Sequence, residues 1–407
     1  MNVIFVEPAF PPNQREFVRG LAAAGATVIG IGERPLDQLD ADLKDWMLHY
    51  EQVDNVTDVG TLVDRVRWTQ SRLWVDRLEA TVEAHTMAAA EAREACTIPG
   101  TSVRTAYLCR DKPAMKEALR EVGVPCAETT AAHSAAEVRA FAAQVGFPLI
   151  LKPRAAAGAS GTVRVDNDAE LDDALRALGG SGAESIAVEE FVEGHEAFYD
   201  TLCVDGRPVY DFITHYYPNV LDAMRTRWIS PQFITTNRID AVPAYAEVRE
   251  LGARVIDAFD IGTSATHMEW FFGPKGLKFS EIGCRPSGVR AWDLYAAGND
   301  IDIYREWANG IAHGGVDRSL SRRRAAGMIA LRPDRDGRIS HYEGVDDIQR
   351  RYGEYVLDAH LPDPGTPTQP VEAGYMANAW VRMTHPDYDE LHAMLDDVGR
   401  SVHVHAS

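Results

Sequence analysis

Short apolar runs alternate along the chain with longer stretches in which apolar positions recur every three or four residues. Asn2–Val6 is an apolar, β-prone run, and a turn holding Pro8, Pro11 and Pro12 follows it. Phe17, Val18, Leu21 and Ala22 then recur at helical spacing up to Gly25, and Thr27–Ile31 is a second apolar run. Strand, helix and strand in that order predict the start of a doubly wound sheet. The Ala- and Glu-rich stretch from Leu73 to Cys96 predicts one long helix, broken by Ile98-Pro99-Gly100. A second unit begins there. Helices are expected at Asp111–Gly123 and Ala135–Val145, and strands at Phe147–Pro153, Thr162–Val165 and Ile186–Glu190. Alternating runs follow at Glu196–Val204 and Arg207–Thr214. Met268–Phe272 and Leu277–Ile282 flank Gly273-Pro274-Lys275-Gly276, a strong hairpin turn. Near the C-terminus, Ala325–Leu331 and Tyr375–Thr384 predict strands and Tyr388–Gly399 a helix. Leu361–Pro370, with four prolines, predicts a loop. No internal repeat or low-complexity tract is present.

Composition narrows the function classes. A chain of 407 residues with 45% hydrophobic and 25% charged positions is an ordinary globular protein of several domains. The formal net charge of −20 argues against general nucleic-acid binding, which needs a basic surface to displace counterions. No apolar stretch is long enough for a membrane span. The opening MNVIFVEPAF lacks a basic leader and reads as a first strand. Five scattered cysteines (Cys96, Cys109, Cys126, Cys203 and Cys284) form no metal-ligand pair and fit a reduced, cytoplasmic setting. Gly30 and Gly32 form GxG after the second run, but the rest of GxGxxG is missing, so a dinucleotide site is not indicated.

The informative feature is an ordered series of motifs. Arg110-Asp111-Lys112 comes first, with Met115-Lys116 one turn on. Phe147–Pro153 (FPLILKP) runs into the small-residue loop AAAGASGT, Ala155–Thr162. Then come Val188–Glu196 (VEEFVEGHE), His267-Met268-Glu269 and Phe279–Gly288 (FSEIGCRPSG). In this order the motifs resemble the ATP-grasp superfamily. The likeness is to its carboxylate–amine ligases, which include L-amino acid ligases and carnosine synthases, and more distantly to biotin carboxylase and D-alanine–D-alanine ligase. It covers most of the chain and is densest from Arg104 to Gly288.

The resemblance implies an α/β architecture in three parts: an N-terminal doubly wound parallel sheet, a split α+β ATP-grasp core and a C-terminal mostly β region. Mapped onto the chain, these are 1–103, a core divided into 104–185 and 186–312, and 313–407. It implies ATP as cofactor with Mg²⁺ (Mn²⁺ as substitute), and small-molecule carboxylate and amine substrates, with room for a homodimer. Lys112 and Lys152 match the family's two phosphate-contacting lysines, and point charges suit the phosphates of ATP. Lys152 closes an apolar strand and is sheltered, while Lys116 is close enough to share the role of Lys112. Gly158, Ser160, Gly161 and Thr162 match the flap whose backbone N–H groups close over phosphate oxygens.

Glu189, Glu190 and Val192 match the segment that receives adenine through the Glu190 carbonyl and the Val192 N–H. Glu196 matches the acid that holds the ribose hydroxyls. Glu269 and Glu281 are each the only acid of an apolar run on paired strands, where two carboxylates can share a face and hold Mg²⁺. Gly283 stands where relatives usually carry Asn. Arg285 matches the group that faces the acyl phosphate, its planar fork suiting a carboxylate or a moving phosphoryl group. His267 matches a frequent family histidine, equally readable as a core residue. Arg290 is a weaker candidate for the substrate carboxylate. The acceptor pocket is expected near Tyr216–Ile234, Trp292 and Tyr295. Two alternatives stay open: another ATP-grasp chemistry such as biotin carboxylation, and a nucleotide-binding module without catalysis.

Overall fold

A computed structural model describes residues 1–153, 161–179 and 185–407. β1 (Asn2–Val6), β2 (Thr27–Gly32), β3 (Met47–Gln52) and β4 (Arg77–Glu79) form a parallel sheet in the order β3-β2-β1-β4. The two inner strands, β1 and β2, are apolar on both faces, as the centre of a parallel sheet covered by helices requires. Ile4, Val6, Ile29 and Ile31 pack on one side with Leu62 and Val66 of the helix Val59–Gln70 and Ala89 and Ala92 of the helix Thr86–Cys96. Val3, Phe5 and Val28 pack on the other with Phe17 and Leu21 of the helix Gln14–Ala23. The long helix expected from Leu73 to Cys96 is instead β4, a short turn and the helix Thr86–Cys96. Leu78 is fully buried beside β1, and that tertiary contact overrides the local helical propensity. Gly30 and Gly32 serve packing: a Cβ at Gly30 would lie 2.6 Å from Met47 Sδ, and one at Gly32 2.7 Å from the Tyr50 hydroxyl.

β5 (Thr129–Ala132), β6 (Leu149–Pro153), β7 (Val163–Val165) and β8 (Ile186–Glu190) form a small antiparallel sheet, ordered β5-β8-β6-β7. Side chains alternate across it. Leu149, Leu151, Ile186 and Val188 bury against Val138, Phe141 and Leu171 of the helices Ala135–Val145 and Asp168–Gly179. Ile150, Lys152 and Glu189 are left for the opposite face, and all three line a cleft there.

The chain continues through β9 (His195–Val204), β10 (Arg207–Tyr217), β11 (Gln232–Thr235), β12 (Ser264–Gly273) and β13 (Gly276–Gly283). β14 (Ala325–Leu331), β15 (Ile339–Glu343), β16 (Val356–His360), β17 (Ala379–His385) and β18 (His403–Ala406) follow. Among the described residues, all of these but β15 and β18 join one antiparallel sheet, ordered β13-β12-β9-β10-β11-β14-β17-β16. β15 and β18 pair with each other. The C-terminal strands thus extend the sheet that starts at His195. The helix Tyr245–Ala258 covers Ala197, Tyr199, Met268, Trp270 and Ile282 on one face. On the other, Phe198, Leu202, Phe212 and Phe233 share a core with Trp292, Tyr295 and Trp307, and through Phe5 and Phe17 with the N-terminal sheet. Trp292 and Tyr295, expected near an acceptor pocket, are buried in that core, with Tyr295 stacked on Phe212 at 4.1 Å between ring centroids.

The small sheet connects to the large one through residues 191–194. This strap crosses the tip of the β12–β13 hairpin at close quarters. A Cβ at Gly273 would lie 2.1 Å from the Glu193 carbonyl oxygen, and a Cβ at Gly194 2.6 Å from that of Phe272. Two glycines therefore allow strap and hairpin to touch backbone to backbone.

Candidate active site

The polar face of the large sheet is set by strand alternation and one irregularity. On β9, Glu196, Phe198 and Asp200 share a face; on β12, His267 lies opposite Asp200 and Glu269 opposite Phe198. On β13 the alternation is broken. Trp270 pairs with Phe279, but the next pair is Glu269 with Glu281, so Ser280 is an extra residue. A bulge of this kind shifts every later side chain to the other face. Without it, Glu281 would point with Leu277 and Phe279 into the apolar core. With it, Glu281 stands directly across from Glu269, and Ile282 goes inward against Met268.

The opposing wall comes from the helix Lys112–Glu121 and the small sheet. Asp111 caps that helix, its carboxylate accepting the Ala114 N–H at 3.1 Å, and Pro113 follows in the first turn. Lys112 and Lys116, four residues apart, share one helix face. A line of alternating charge results. Lys116 lies 2.7 Å from Glu189, Glu189 2.8 Å from Lys152, Lys152 4.0 Å from Glu281, and Glu281 3.2 Å from Lys112. Burial works against charge throughout this line, yet the lysines hold the Glu189 carboxyl below its usual range and that of Glu281 down to about 2. Burial drags Lys116 down to about 8, with Glu189 holding it up. Lys116 is only 1% exposed. It clasps Glu189 from within the wall of the cleft, which it lines beside Lys112.

Between these walls lies a cleft of about 1090 Å³, open solvent included. Lys112, Lys152, Thr162, Glu189, Glu190, Val192, Glu196, Glu269 and Glu281 all line it. Gly161 precedes Thr162 with φ +68°, while Gly158 and Ser160 lie outside the described residues. The end near the strap is apolar, with Ile150, Phe191, Leu221 and Phe271, and suits a flat ring; the other end carries the lysines and acids. Glu196 accepts the Val220 N–H at 2.7 Å, and burial, with Glu269 and Glu281 adding, pushes its pKa up to about 8. The Glu190 side chain pairs with Lys275 at the hairpin tip.

Arg285 lies elsewhere. It lines a second cavity of about 720 Å³, open solvent included, together with Glu83, Arg110 and His267. Lys112 and Glu281 line both cavities and form the wall between them. Arg285 Nε donates to Glu83 at 2.8 Å, an acid from the N-terminal unit 202 residues away. Gly283 makes room for this pair: a Cβ there would stand 3.1 Å from the Glu83 carboxylate and 3.5 Å from Arg285 Nε. His267 is neither a bare core residue nor isolated. Its Nδ1 meets Asp200 at 2.7 Å, and Asp200 also accepts the Tyr295 hydroxyl at 2.7 Å. Burial opposes the imidazolium, but Asp200 overrides it and lifts the pKa to about 9. Arg290 pairs with Asp293 at 2.6 Å and lines neither cavity. Sequence reasoning missed Glu83 and Asp200, which have no local signal, and the clasp made by Lys116, which its i,i+4 spacing from Lys112 hints at. The five cysteines are all buried and free.

The family description "Carbamoyl-phosphate synthase L chain, ATP binding domain" matches residues 111–201. Over 324 residues the chain is 28% identical to the L-arginine-specific L-amino acid ligase of Bacillus subtilis, covering 78% of this chain and 76% of that one. In three dimensions it resembles the L-amino acid ligase from Bacillus licheniformis, with a TM-score of 0.78 at 17% identity over 100% of this chain and 98% of that one. It also resembles N5-carboxyaminoimidazole synthetase from Staphylococcus aureus complexed with ADP, with a TM-score of 0.67 at 13% identity over 97% and 96% of the two chains. At such identities the two structures speak for the fold, and the sequence matches speak for the lineage. Motif order, sheet topology and the charged cleft agree with this likeness to ligases of the ATP-grasp superfamily.

Proposed function

We propose that the chain activates a small-molecule carboxylate as an acyl phosphate at the expense of ATP and passes the acyl group to an amine, releasing ADP and phosphate. The observation that carries this reading is the shared wall. A nucleotide-sized cleft and a cation-rich chamber meet at Lys112 and Glu281, so a phosphoryl donor in one can reach an acceptor in the other. Adenine fits the apolar end, against the backbone of Glu190 and Val192, with Glu196 placed for the ribose hydroxyls. Lys112 and Lys152 neutralise the phosphates, with Thr162 beside them in the cleft.

Glu269 and Glu281 fit a hard divalent cation. They are cross-strand neighbours on one face, their donors are all oxygen, and Glu281 is fully ionised. Mg²⁺ (or Mn²⁺) held there supplies charge neutralisation at the phosphates. The protein does the rest by position and charge. A carboxylate oxygen of the substrate attacks the γ-phosphorus, and the bridging oxygen leaves with ADP. Arg285, steadied by Glu83, and the His267 imidazolium face the chamber where the acyl phosphate stands. An amine then attacks the acyl carbon, the C–O bond breaks, and phosphate departs with the oxygen that came from the carboxylate.

That last atom is the test. A substrate carboxylate labelled with heavy oxygen is expected to deliver one labelled oxygen to the released phosphate. Label arriving only from solvent water would overturn the acyl-phosphate route. A second expectation concerns Arg285→Lys, which keeps the charge and loses the fork. It should lower turnover by roughly 10²–10³ while calorimetric ATP affinity stays near the parent's, because Arg285 lies outside the nucleotide cleft. An equal loss in ATP affinity would place Arg285 on the nucleotide instead.

A further inference from the structure

β15 and β18, which contribute no lining residue to either cavity, make a two-stranded antiparallel ribbon. Tyr342 and Val404 point into the C-terminal core, so their neighbours face outward. His341 lies directly opposite His405, and Glu343 opposite His403. Ligand atoms of His341, Glu343 and His405 all lie within 4.8 Å of one another. Nε2 of His341 and Nε2 of His405 each stand 3.6 Å from a Glu343 oxygen, and the two rings stack at 4.5 Å between centroids.

The other side of each ring is already occupied. His405 Nδ1 lies 3.3 Å from Asp334, whose carboxylate is itself fixed by the Ala406 N–H at 3.0 Å. His341 Nδ1 lies 3.1 Å from the Ser340 hydroxyl. A proton on Nδ1 towards Asp334 would leave the Nε2 lone pair of His405 facing the Glu343 carboxylate. That Nε2 atom is buried and has no hydrogen-bond partner. With both rings protonated on Nδ1, towards Ser340 and Asp334, the two Nε2 lone pairs would face the Glu343 carboxylate, an arrangement that a cation resolves.

We propose that His341, Glu343 and His405 form a binding site for a zinc-class divalent transition ion, separate from the nucleotide cleft. Two imidazoles and one carboxylate are a donor set for Zn²⁺, Co²⁺ or Ni²⁺ rather than for Mg²⁺. Asp334 is the positioning residue: a carboxylate on the far nitrogen of a ligating histidine fixes its tautomer and raises its basicity. Side-chain rotation must draw the three donors together from their present spacing, which exposed strand residues allow. A bound ion would clip β18 onto β15.

The test uses the full chain without a histidine tag, stripped with chelator and titrated with Zn²⁺ and, separately, Co²⁺ in excess Mg²⁺. The Mg²⁺ occupies the all-oxygen pair Glu269 and Glu281. About one Zn²⁺ per chain is expected to bind, and Co²⁺ should give visible absorption bands of nitrogen ligation in the unsubstituted protein. Asp334→Asn should weaken Zn²⁺ binding by about 10–100-fold, and His341→Ala and His405→Ala by at least as much. Binding that survives both histidine substitutions, or Co²⁺ bands of oxygen ligation alone, would overturn the site.

Discussion

Glu281→Gln is expected to leave a folded chain that still binds nucleotide but releases phosphate about 10³-fold more slowly, a loss of about 4 kcal/mol in transition-state stabilisation. The bulge at Ser280 brings Glu281 out of the core and across from Glu269. There it meets Lys112 at 3.2 Å and Lys152 at 4.0 Å, and these cations hold its carboxyl down to about 2. Glu281 is therefore an anion under all working conditions, and its charge is what a divalent cation needs. Gln is nearly isosteric and its carbonyl oxygen can still accept from Lys112, so the wall between the two cavities keeps its shape. The missing charge leaves Glu269 as the remaining anionic donor of the pair. Raising Mg²⁺ should restore part of the rate, since weakened binding is partly offset by mass action. Parent-like phosphate release from folded Glu281→Gln enzyme at moderate Mg²⁺ would remove Glu281 from the metal site.

The second large effect is on stability. Lys116→Ala is expected to destabilise the chain by about 3 kcal/mol, the lower end for breaking a buried ion pair, because Lys152 still accompanies Glu189. Glu189 is almost wholly buried, and one of its oxygens already lacks a hydrogen-bond partner. Lys116→Ala takes away a 2.7 Å charged contact to it. Thermal or chemical denaturation measures the loss. Removing both charges should recover much of it, so Lys116→Met combined with Glu189→Gln is expected to be more stable than Lys116→Met alone. A double variant no better than the single one would mean that Lys116 matters for packing and not for Glu189.

These two residues also mark what the sequence makes legible. The hairpin, its turn and the solitary acids Glu269 and Glu281 are local features, readable from period-2 alternation around Gly273–Gly276. So is the sheltered Lys152 at the end of β6. Even the bulge leaves a trace, since apolar residues at 277, 279 and 282 break the alternation by one step. The clasp between Lys116 and Glu189 is not legible, because 73 residues separate partners whose meeting depends on how helix and sheet dock. Asp200 beneath His267 and Glu83 beside Arg285 are hidden for the same reason. β4 was masked differently: a strand of three residues carries little pattern of its own, and an Ala-rich helix follows close behind. The extension of the large sheet by β14, β17 and β16 likewise depends on strand order, which apolar runs do not encode.

The contact between the strap and the hairpin tip constrains the chain's history. With 2.1 Å available to a Cβ at Gly273 and 2.6 Å at Gly194, neither position can accept even alanine unless the backbone of the other element retreats. A first mutation at one site is thus harmful however the second site changes later, because what each side chain strikes is main chain, which no substitution opposite can trim. Drift along either segment is therefore expected to stall at these two glycines while flanking side chains vary, and a lineage that lost one of them would have to lengthen the strap or the turn to recover.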